Sequence, residues 1–390
     1  MSGPVLFTPL SIRDVTLRNR IVVPPMHQYS AVKGFPADWH LMNAGKFAAG
    51  GAGLVIVEST KVERRGCGTV GDLGIWDDGF IEPLRRLANF IKQQGAVAGI
   101  QLGHSGRKAR AHRPWEGDGP LKRTPEIADW EAWTPVAPSA IAHSEKWPAP
   151  RALERHEVKD LVAAWGQAAR RAHAAGFEVL ELHGAHGYLV HEFLSELSNQ
   201  RTDEYGGSEA NRMRFLTEVA EAVRAHWPES KPLFVRLSVE DHAGWGPESS
   251  TRLAKILKAR GVDVIDCSSG GITDLAPILG KEIKYNYQVP LAEYVRRNAG
   301  IMTMAVGLII HCDQAEHILR EGQADLIAIG REILNNPNWP MDAALKLGVD
   351  GPFRNVPPQF GYWLGTRAKR GFGTNPSTWQ VGLEENRKIL

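Results

Sequence analysis

Residues 157–182 read EVKDLVAAWGQAARRAHAAGFEVLEL, and this stretch contains one repeat of the fold. Its first part has apolar residues at the spacing of one helix face, and Gly176 stands where a helix commonly ends. These apolar residues are Leu161, Trp165, Ala168 and Ala172. The apolar run Val179–Leu182 follows at once and is typical of a strand buried on both faces. A helix that leads directly into a buried strand indicates an α/β protein with a parallel sheet.

Short apolar runs of this kind recur along the chain, with helical patterns between them. Most are rich in β-branched residues and are bounded by Gly, Pro or Asp. They are Ile21–Pro24, Leu54–Val57, Val97–Leu102, Val179–Leu182, Leu233–Leu237, Val262–Ile265, Ile301–Val306 and Leu326–Ile329. Strand–helix repeats of this number close most naturally into a (β/α)8 TIM barrel, which is our prediction, with an open, doubly wound sheet as the alternative.

Three segments fall outside the repeats. Residues 5–18 are predicted to form a hairpin that caps the bottom of the barrel. Residues 105–150, rich in Trp, Pro and charged residues, form a long insertion after the third predicted strand. We predict one barrel domain over residues 1–350 and a C-terminal tail over residues 351–390, which follows the eighth strand.

Composition argues against several classes of function. The net charge of +2, from 46 basic and 44 acidic residues, is too small to indicate a nucleic-acid or membrane partner. No apolar run approaches the ~18 residues that span a bilayer, and the N-terminus does not resemble a secretion signal. The three cysteines, Cys67, Cys267 and Cys312, form no CxxC pair and cannot hold an iron–sulfur cluster. These features predict a cytoplasmic protein.

Polar residues and glycines follow the predicted strands, at the end of a barrel where reacting groups lie. They are Pro24, Pro25, Met26, Ser59, Gln101, His183, His186, Arg236, Ser268, Ser269, Gly307, Gly330 and Arg331. A barrel interior needs only apolar side chains, so polar groups at every strand end indicate one large ligand. Glycines after the last two strands let backbone N–H groups approach a phosphate, and Arg331 can pair with it. A tight turn and a surface charge are the alternative there.

Gln101 and Arg236 suit a planar heterocycle. Gln101 offers a donor and an acceptor, and Arg236 offers a positive charge. A reduced flavin carries negative charge at its N1 and C2 carbonyl edge, where a fixed cation favours reduction. A structural ion pair of Arg236 with Glu240 or Asp241 is the alternative.

The segment ELHGAHGYLVHEFLS at 181–195 carries the most specific chemistry. His183 and His186 follow the fourth strand, and Tyr188 comes two residues later. A zinc site would need a third ligand; His191 is near, but no HExxH pattern and no acid at ligand spacing is present. Core histidines bonded to the backbone are a second possibility. We favour two donors that bind a carbonyl oxygen, with Tyr188 as the general acid that protonates the α-carbon.

The segment HGAHGYLVHEFLSELSNQRTDEYGGSEANRMRF at 183–215 resembles the signature stretch of the Old Yellow Enzyme family. The similarity extends to LFTPLSIRDVTLRNRIVVPPM, GIQLGHSGRKA and DLIAIGRE, in this order within residues 5–365. The spacing of the N-terminal motif and of HGAHGYL is similar to the thermophilic-like subclass. The resemblance implies a flavoprotein: an FMN barrel that uses NADPH or NADH to reduce the C=C bonds of α,β-unsaturated carbonyl compounds, such as enones, enals and maleimides.

The resemblance also implies a role for each matching position. His183 and His186 match the pair that binds the substrate carbonyl, Tyr188 matches the proton donor, and Tyr29 matches a tyrosine on the substrate side. The positions that match flavin-ring contacts are Pro24, Pro25, Met26, Ser59, Gln101 and Arg236. The positions that match the phosphate contacts are Gly307, Gly330 and Arg331.

One position departs from the family pattern. The residue after PPM is usually a cysteine that tunes the flavin potential, and here it is His27. We hypothesise that His27 lies near the flavin C4 carbonyl and N5 edge and that its protonation raises the reduction potential at lower pH; the alternative is that it only fills space. The substitution leaves a specialised catabolic reductase or a double-bond isomerase as alternatives. A flavin-free barrel that binds a phosphorylated metabolite is the more distant one.

The segment PPQFGYWLGTR at 357–367 resembles the tail of the same subclass, in which one subunit completes the pocket of its neighbour. Trp363 is therefore our candidate for a substrate contact, followed by Arg367, and a homodimer or homotetramer is expected. Packing of these aromatic residues on their own barrel is the alternative. Residues 368–390 exceed the usual family length and receive no role.

Overall fold

A computed structural model describes residues 3–117, 119–125, 127–273 and 284–371. Within these ranges the strands are β1 (Leu10–Ile12), β2 (Val15–Leu17), β3 (Ile21–Val23), β4 (Leu54–Lys61), β5 (Val97–Gly103), β6 (Val136–Ala137), β7 (Arg151–Ala152), β8 (Val179–Gly184), β9 (Leu233–Glu240), β10 (Val264–Ser269), β11 (Met302–Ala305) and β12 (Leu326–Ala328). The helices are α1 (Asp38–Ala49), α2 (Ile81–Gln93), α3 (Arg155–Ala174), α4 (Leu189–Leu194), α5 (Glu209–His226), α6 (Pro247–Ala259), α7 (Val289–Ala299), α8 (Cys312–Arg320), α9 (Arg331–Asn335), α10 (Trp339–Lys346) and α11 (Pro358–Lys369).

The strands from β3 onward, apart from the short β6 and β7, form a closed parallel barrel in the order of the chain. The barrel closes because β12 pairs with β3, with Ile327 opposite Ile21 and Ala328 opposite Val22. The predicted (β/α)8 barrel is confirmed. The open sheet is excluded, because an open sheet would leave two edge strands unpaired.

Several strands extend beyond their apolar runs. Strand β4, predicted over Leu54–Val57, continues through four more residues that are polar and buried. Strand β10, predicted over Val262–Ile265, instead covers Val264–Ser269. Its predicted start lies just before the strand, where the Asp263 carboxylate accepts the Leu233 N–H at 2.9 Å. Apolar runs mark the filled interior of a barrel, whereas the polar strand ends beyond them line its mouth.

Helix α3 matches the pattern predicted over 157–175. The four residues of its apolar stripe, named above, are each at most 1% exposed. The helix begins where the Glu157 carboxylate accepts the Glu154 N–H at 2.9 Å. It ends before Gly176, whose φ of +85° lies in the region that favours glycine. The buried stripe holds α3 on the outer side of the barrel, since removal of apolar surface from water stabilises the contact.

Strands β1 and β2 form the antiparallel hairpin predicted for residues 5–18. Its apolar side chains pack against residues at the starts of the barrel strands. The contributors are Ile12, Val15 and Leu17 from the hairpin, and Val22, Leu54, Val179, Phe234 and Val264 from the barrel. The hairpin covers the bottom of the barrel, opposite the end that carries the polar residues.

The predicted insertion, residues 105–150, follows β5, and its β6 pairs with β7 just before α3. The fully buried Trp133 anchors it: the indole N–H donates to the Cys67 carbonyl at 2.8 Å. The Arg64 guanidinium lies 4.0 Å from the Trp133 ring centroid. These contacts hold the insertion against the loop that follows β4, beside the mouth of the barrel.

The C-terminal tail ends the described chain with α11, whose aromatic residues are largely exposed. Phe360 is 52% exposed, Tyr362 68% and Trp363 69%. Residues 372–390, which include most of the segment without a role, lie outside the described residues. All three cysteines are free. Within the described ranges, no helix has both the length and the apolar character that a bilayer crossing requires.

Candidate active site

The polar ends of four neighbouring strands lie side by side at the mouth of the barrel. Gln101 on β5 is opposite Glu181 on β8, and His183 on β8 is opposite Arg236 on β9. Arg236 is in turn opposite Asp266 on β10. Parallel strands in a barrel bring their carboxyl ends to one rim, so residues far apart in the sequence form one polar patch.

His183 and His186 form a perpendicular pair, with ring centroids 5.3 Å apart. The Ala185 N–H donates to Nδ1 of His183 at 3.2 Å, so Nε2 of His183 carries the proton. Nε2 of His186 lies 2.7 Å from Oγ of Ser268. Burial is the main cause that holds the pKa of both imidazoles well below its ordinary value. Both rings are therefore neutral at neutral pH, and Nε2 of His183 is a hydrogen-bond donor.

His191, the third histidine of the segment, has other partners. Its Nδ1 accepts the Gly187 N–H at 2.9 Å, and its Nε2 lies 3.6 Å from the Asp241 carboxylate. His191 thus holds the turn between the histidine pair and Tyr188. Among the residues that the structure describes, no three His, Cys, Asp or Glu side chains are grouped so as to hold a metal ion.

The turn that carries His186 has a strained backbone conformation, and hydrogen bonds hold it in place. His186 has a φ of +59°, and its N–H donates to Oγ of Ser238 at 2.9 Å. The Ser238 hydroxyl donates onward to the Gly270 carbonyl at 2.7 Å. Gly187 has a φ of +69°, and a Cβ there would lie 2.1 Å from the Gly271 carbonyl oxygen. The turn therefore requires glycine at position 187, and Ser238 fixes the histidine before it.

Tyr188 stands at the start of α4, and its ring meets the His183 ring edge-on, with centroids 4.9 Å apart. Burial raises the pKa of the Tyr188 hydroxyl well above its ordinary value, so the phenol is protonated at neutral pH. The ammonium groups of Lys61 and Lys108 lie 5.5 and 5.4 Å from the ring centroid. Two positive charges at this distance would favour a phenolate over the neutral phenol.

The search of the sequence for residues that follow apolar runs does not identify either lysine. Lys61 is fully buried at the end of β4, where Nζ donates to Oγ of Ser59 at 3.1 Å and lies 3.4 Å from the Asp72 carboxylate. Lys108 donates to two backbone carbonyls, of His186 at 2.8 Å and of a glycine at 2.7 Å. The sequence signal for Lys61 is the polar segment ESTK, which continues a buried strand. A lysine is rarely buried without a partner, so a lysine at this position indicates one.

His27 also lies beside Tyr188, with ring centroids 6.4 Å apart, and it stacks on Tyr29 at 5.3 Å. Its Nδ1 is 3.5 Å from the buried Glu58 carboxylate, which is 3.1 Å from Nε2 of His40. Burial would raise the pKa of Glu58, but hydrogen bonds from His27 and His40 outweigh burial and lower this pKa to about 2. Glu58 is therefore an ionised carboxylate, and it too escapes a search for apolar runs.

Tyr29 is fixed by the insertion. Its φ is +54°, and its carbonyl accepts a hydrogen bond of 2.9 Å from Nε of Arg113. Its ring meets the ring of Trp115 edge-on at 5.5 Å, and Trp115 is 66% exposed. Burial, followed by the charges of Asp72 and Glu58, raises the pKa of the Tyr29 hydroxyl to about 12. Trp115 thus lies at the rim of the site, a position that the sequence pattern does not indicate.

Gln101 and Arg236 are each held by a buried carboxyl group. Nε2 of Gln101 donates to Glu181 at 2.7 Å, and Nε of Arg236 lies 3.1 Å from Asp266. The ion pair of Arg236 is thus with Asp266, and the alternative partners Glu240 and Asp241 are wrong, because β9 faces β10 at this level. Burial raises the pKa of Asp266; it raises that of Glu181 to about 8, with Asp266 adding to the shift.

A cavity of about 210 Å³ lies at the ends of β11 and β12. It is lined by backbone and side chains of residues 306–310 and of Gly330, Arg331 and Glu332, and Arg236 reaches it from β9. Gly307 has a φ of +110°, and a Cβ there would lie 2.7 Å from the Gln288 side-chain oxygen. At Gly330 a Cβ would meet no atom closer than 3.9 Å, so the space beside this backbone is open to a ligand.

The segment that follows the first barrel strand lies near Gly330. The atoms nearest to the position of a Cβ on Gly330 are Cγ of Pro24, at 3.9 Å, and Sδ of Met26, at 4.0 Å. Pro25 lies between them in the chain and is partly exposed. Ser59 lies close to β5, since a Cβ on Gly103 would be 2.1 Å from its Oγ.

Trp363 lies at the surface of the C-terminal tail and is 69% exposed. It is on α11, and its ring contacts Tyr362 with centroids 5.2 Å apart. Arg367, on the same helix, is exposed as well.

Comparison with known proteins shows the family of this chain. Residues 5–348 match the family described as NADH:flavin oxidoreductase / NADH oxidase. The chain belongs to this family. It is 46% identical over 349 residues to an NADPH dehydrogenase of Geobacillus sp. (strain WCH70), covering 88% of this chain and 95% of that protein.

Solved structures of Old Yellow Enzyme type share the fold. Morphinone reductase superposes with a TM-score of 0.74 at 28% identity, covering 88% of this chain and 90% of its own. The Old Yellow Enzyme homologue from Zymomonas mobilis superposes with a TM-score of 0.73 at 27% identity, covering 92% and 98%. The protein is therefore an FMN-dependent oxidoreductase of the Old Yellow Enzyme family that uses NAD(P)H.

The residues at the mouth fit FMN. The open backbone at Gly330 and the guanidinium of Arg331 suit a phosphate, and the cavity there continues to Arg236. Within the described part of the chain, Nε of Arg236 and both carboxyl oxygens of Asp266 are buried without a hydrogen bond of good geometry. Such polar atoms are costly unless a ligand or water satisfies them. They stand beside Gln101, where the polar edge of the flavin ring is expected.

Proposed function

We propose that this flavoenzyme reduces the C=C bond of α,β-unsaturated carbonyl compounds, such as enones, enals and maleimides. The observation that carries the proposal is the neutral histidine pair next to a protonated phenol. Neutral His183 can donate to a carbonyl oxygen, and the Tyr188 phenol, whose pKa is raised by burial, holds a proton to deliver. A carbonyl that accepts hydrogen bonds withdraws electrons from its conjugated β-carbon and makes that carbon electrophilic.

Each side chain then has one task. His183 and His186 hold the carbonyl oxygen and orient the alkene, and Tyr188 gives its proton to the α-carbon. Tyr29 contacts the substrate, and the two lysines beside Tyr188 stabilise the phenolate. When bound, FMN supplies reversible two-electron transfer between the nicotinamide and the alkene.

The cofactor would be held along the strand ends. Arg331, Gly307 and Gly330 would hold the phosphate. The flavin ring would be held by Pro24, Pro25, Met26, His27, Ser59, Gln101 and Arg236. Arg236 supplies the positive charge that a reduced flavin requires, while Asp266 holds the guanidinium in place.

A second copy of this chain would complete the pocket. The exposed Trp363 on α11 supports this part of the proposal, because large aromatic side chains at a surface are commonly covered by a partner. We therefore infer a homodimer or homotetramer in which Trp363 contacts the substrate of the neighbouring subunit. The names of the bacterial relatives favour NADPH over NADH. The free cysteines favour a cytoplasmic location.

Anaerobic stopped-flow absorbance tests the proposal. The purified flavoprotein is reduced with NADPH and then mixed with 2-cyclohexenone or N-ethylmaleimide. We expect the flavin band to bleach and then to recover at a rate that rises with enone concentration. The double variant H183N/H186N should lose the second step, whereas the control H242A, at a partly exposed histidine paired with Glu240, should keep it. Recovery that requires oxygen, with no dependence on the enone, would contradict the proposed substrate class.

A further inference from the structure

Tyr188 must recover a proton after every turnover if it protonates the α-carbon. The side chain is only partly exposed, and burial is the main cause of the raised pKa of its hydroxyl. A phenolate left there would block the next turnover. The question is which neighbouring group delivers the proton.

The immediate neighbours of Tyr188 are already committed. Lys61 is paired with Asp72 and Ser59, and Lys108 donates to two backbone carbonyls. His183 accepts the Ala185 N–H at Nδ1, and its low pKa makes it a poor carrier of a second proton. All three neighbours therefore already have hydrogen-bond or ion-pair partners.

His27 differs from them in both chemistry and position. An imidazole can accept a proton at one ring nitrogen and donate one from the other. The side chain of His27 is 17% exposed, and its ring lies 6.4 Å from the Tyr188 ring. At this separation one water or the adjacent Tyr29 hydroxyl can bridge the two groups.

Glu58 determines which nitrogen of His27 takes part. Nδ1 of His40 accepts the Ala37 N–H at 3.0 Å, so Nε2 of His40 carries a proton toward Glu58 at 3.1 Å. The Gln28 N–H also donates to Glu58 at 2.8 Å. Held in this way, Glu58 remains an anion and favours a proton on Nδ1 of His27, which lies 3.5 Å away. Nε2 of His27 is then the nitrogen that gains and loses a proton.

We propose that His27, oriented by Glu58, is the proton relay that returns a proton to Tyr188. Nε2 takes a proton from solvent and becomes imidazolium, then passes a proton to the phenolate oxygen and returns to neutral imidazole. One solvent proton thus replaces the one transferred to the α-carbon, and no electron moves. The titratable and charged groups that face this relay include Glu58 and Lys61 on β4, His40 on α1, Tyr29, Asp72, Lys108, Tyr188 at the start of α4, and the histidine pair after β8. The relay rests on the proposed function, because it presupposes proton donation by Tyr188.

The phenolate of Tyr188 gives a readout that is separate from enzyme activity. Pre-reduced holoenzyme is mixed with N-ethylmaleimide, and the ultraviolet absorbance of phenolate is followed after alkene reduction. We expect the phenolate to decay at least about tenfold more slowly in H27A than in the wild type, since general acids commonly contribute 10²–10⁴-fold. Free imidazole should restore the fast decay, because removal of a partly exposed side chain leaves a space that imidazole can enter. In the control H242A, imidazole should have no effect.

A second measurement separates orientation from packing. The ¹⁵N resonances of His27 in the cofactor-free protein should show the proton on Nδ1, and E58Q should shift the balance toward Nε2. Equal phenolate decay in wild type and H27A would overturn the relay, as would slow decay in H27A that imidazole does not restore. Absence of any phenolate in both the wild type and H27A, when each of them reduces the alkene, would overturn it as well. A wild type that does not react with the alkene would instead refute the proposed function on which the relay rests.

Discussion

The buried carboxyl group of Glu192 should make the stability of this protein depend on pH in a way that one substitution removes. Glu192 is fully buried on α4, four residues after Tyr188. One carboxyl oxygen accepts the Arg107 N–H at 2.9 Å, and within the described residues the other has no hydrogen-bond partner. Burial raises its pKa from 4.5 to about 8, and the positive charge of Arg107 offsets this only in part.

The sign follows from the raised pKa. The folded state binds the proton of Glu192 more tightly than the unfolded state, so stability is lost as the pH rises from 4.5 toward 8. At about 1.4 kcal/mol per pKa unit, the loss from this group between pH 6 and pH 9 is about 3 kcal/mol. Glu192→Gln keeps the acceptor for Arg107 and carries no charge, so it should remove this part of the pH dependence. An unpaired amide N–H adds a constant cost of about 1–3 kcal/mol that does not vary with pH.

Equilibrium urea unfolding of the cofactor-free protein near pH 6 and near pH 9 measures the effect. The wild type should lose about 3 kcal/mol more than E192Q between these values, although other groups titrate in both proteins. The control is E196Q, at a glutamate whose side chain is 75% exposed on the same segment, and it should follow the wild type. Equal pH dependence in wild type and E192Q would refute the reasoning, since the carboxyl group would then be ionised in the folded state or reached by water.

Three further predictions concern the site. Arg331→Ala should weaken FMN binding by about 10- to 100-fold, the value of a lost charge-assisted contact, and R331K should have an intermediate effect. Fluorescence titration measures the affinity for FMN, and equal affinities in the wild type and R331A would show that Arg331 does not bind the phosphate. Ser238→Ala should raise the KM for 2-cyclohexenone by about tenfold, because the His186 N–H at φ +59° loses its acceptor; equal KM values would contradict this. Trp363→Ala should raise the KM for the enone, and sedimentation should show an oligomer in the wild type; a monomer with normal kinetics would refute the shared pocket.

The hypothesis for His27 predicts a measurable potential. If its protonation favours the reduced flavin, the midpoint potential should rise more steeply toward low pH in the wild type than in H27A. Spectroelectrochemical titration at several pH values measures both slopes. Identical slopes would leave His27 without influence on the flavin potential.

Much of the site could be predicted from the residues at the ends of the predicted strands. Buried parallel strands are recognisable because both faces are apolar, and the first polar residue after each marks the rim. This reasoning indicates Gln101, His183 and Arg236, which the barrel brings together across neighbouring strands. It misses Glu58 and Lys61, because both belong to a strand that continues beyond its apolar run.

The sequence by itself determined the barrel, the hairpin beneath it and the segment that carries the histidine pair. These depend on local periodicity and on the order of repeats, which are properties of the chain alone. Only the tertiary structure decided the partners of the charged groups: Arg236 with Asp266, His27 with Glu58, and two lysines with Tyr188. The reason is that electrostatic partners are set by distance in space and by exclusion of water, and closure of the barrel determines both.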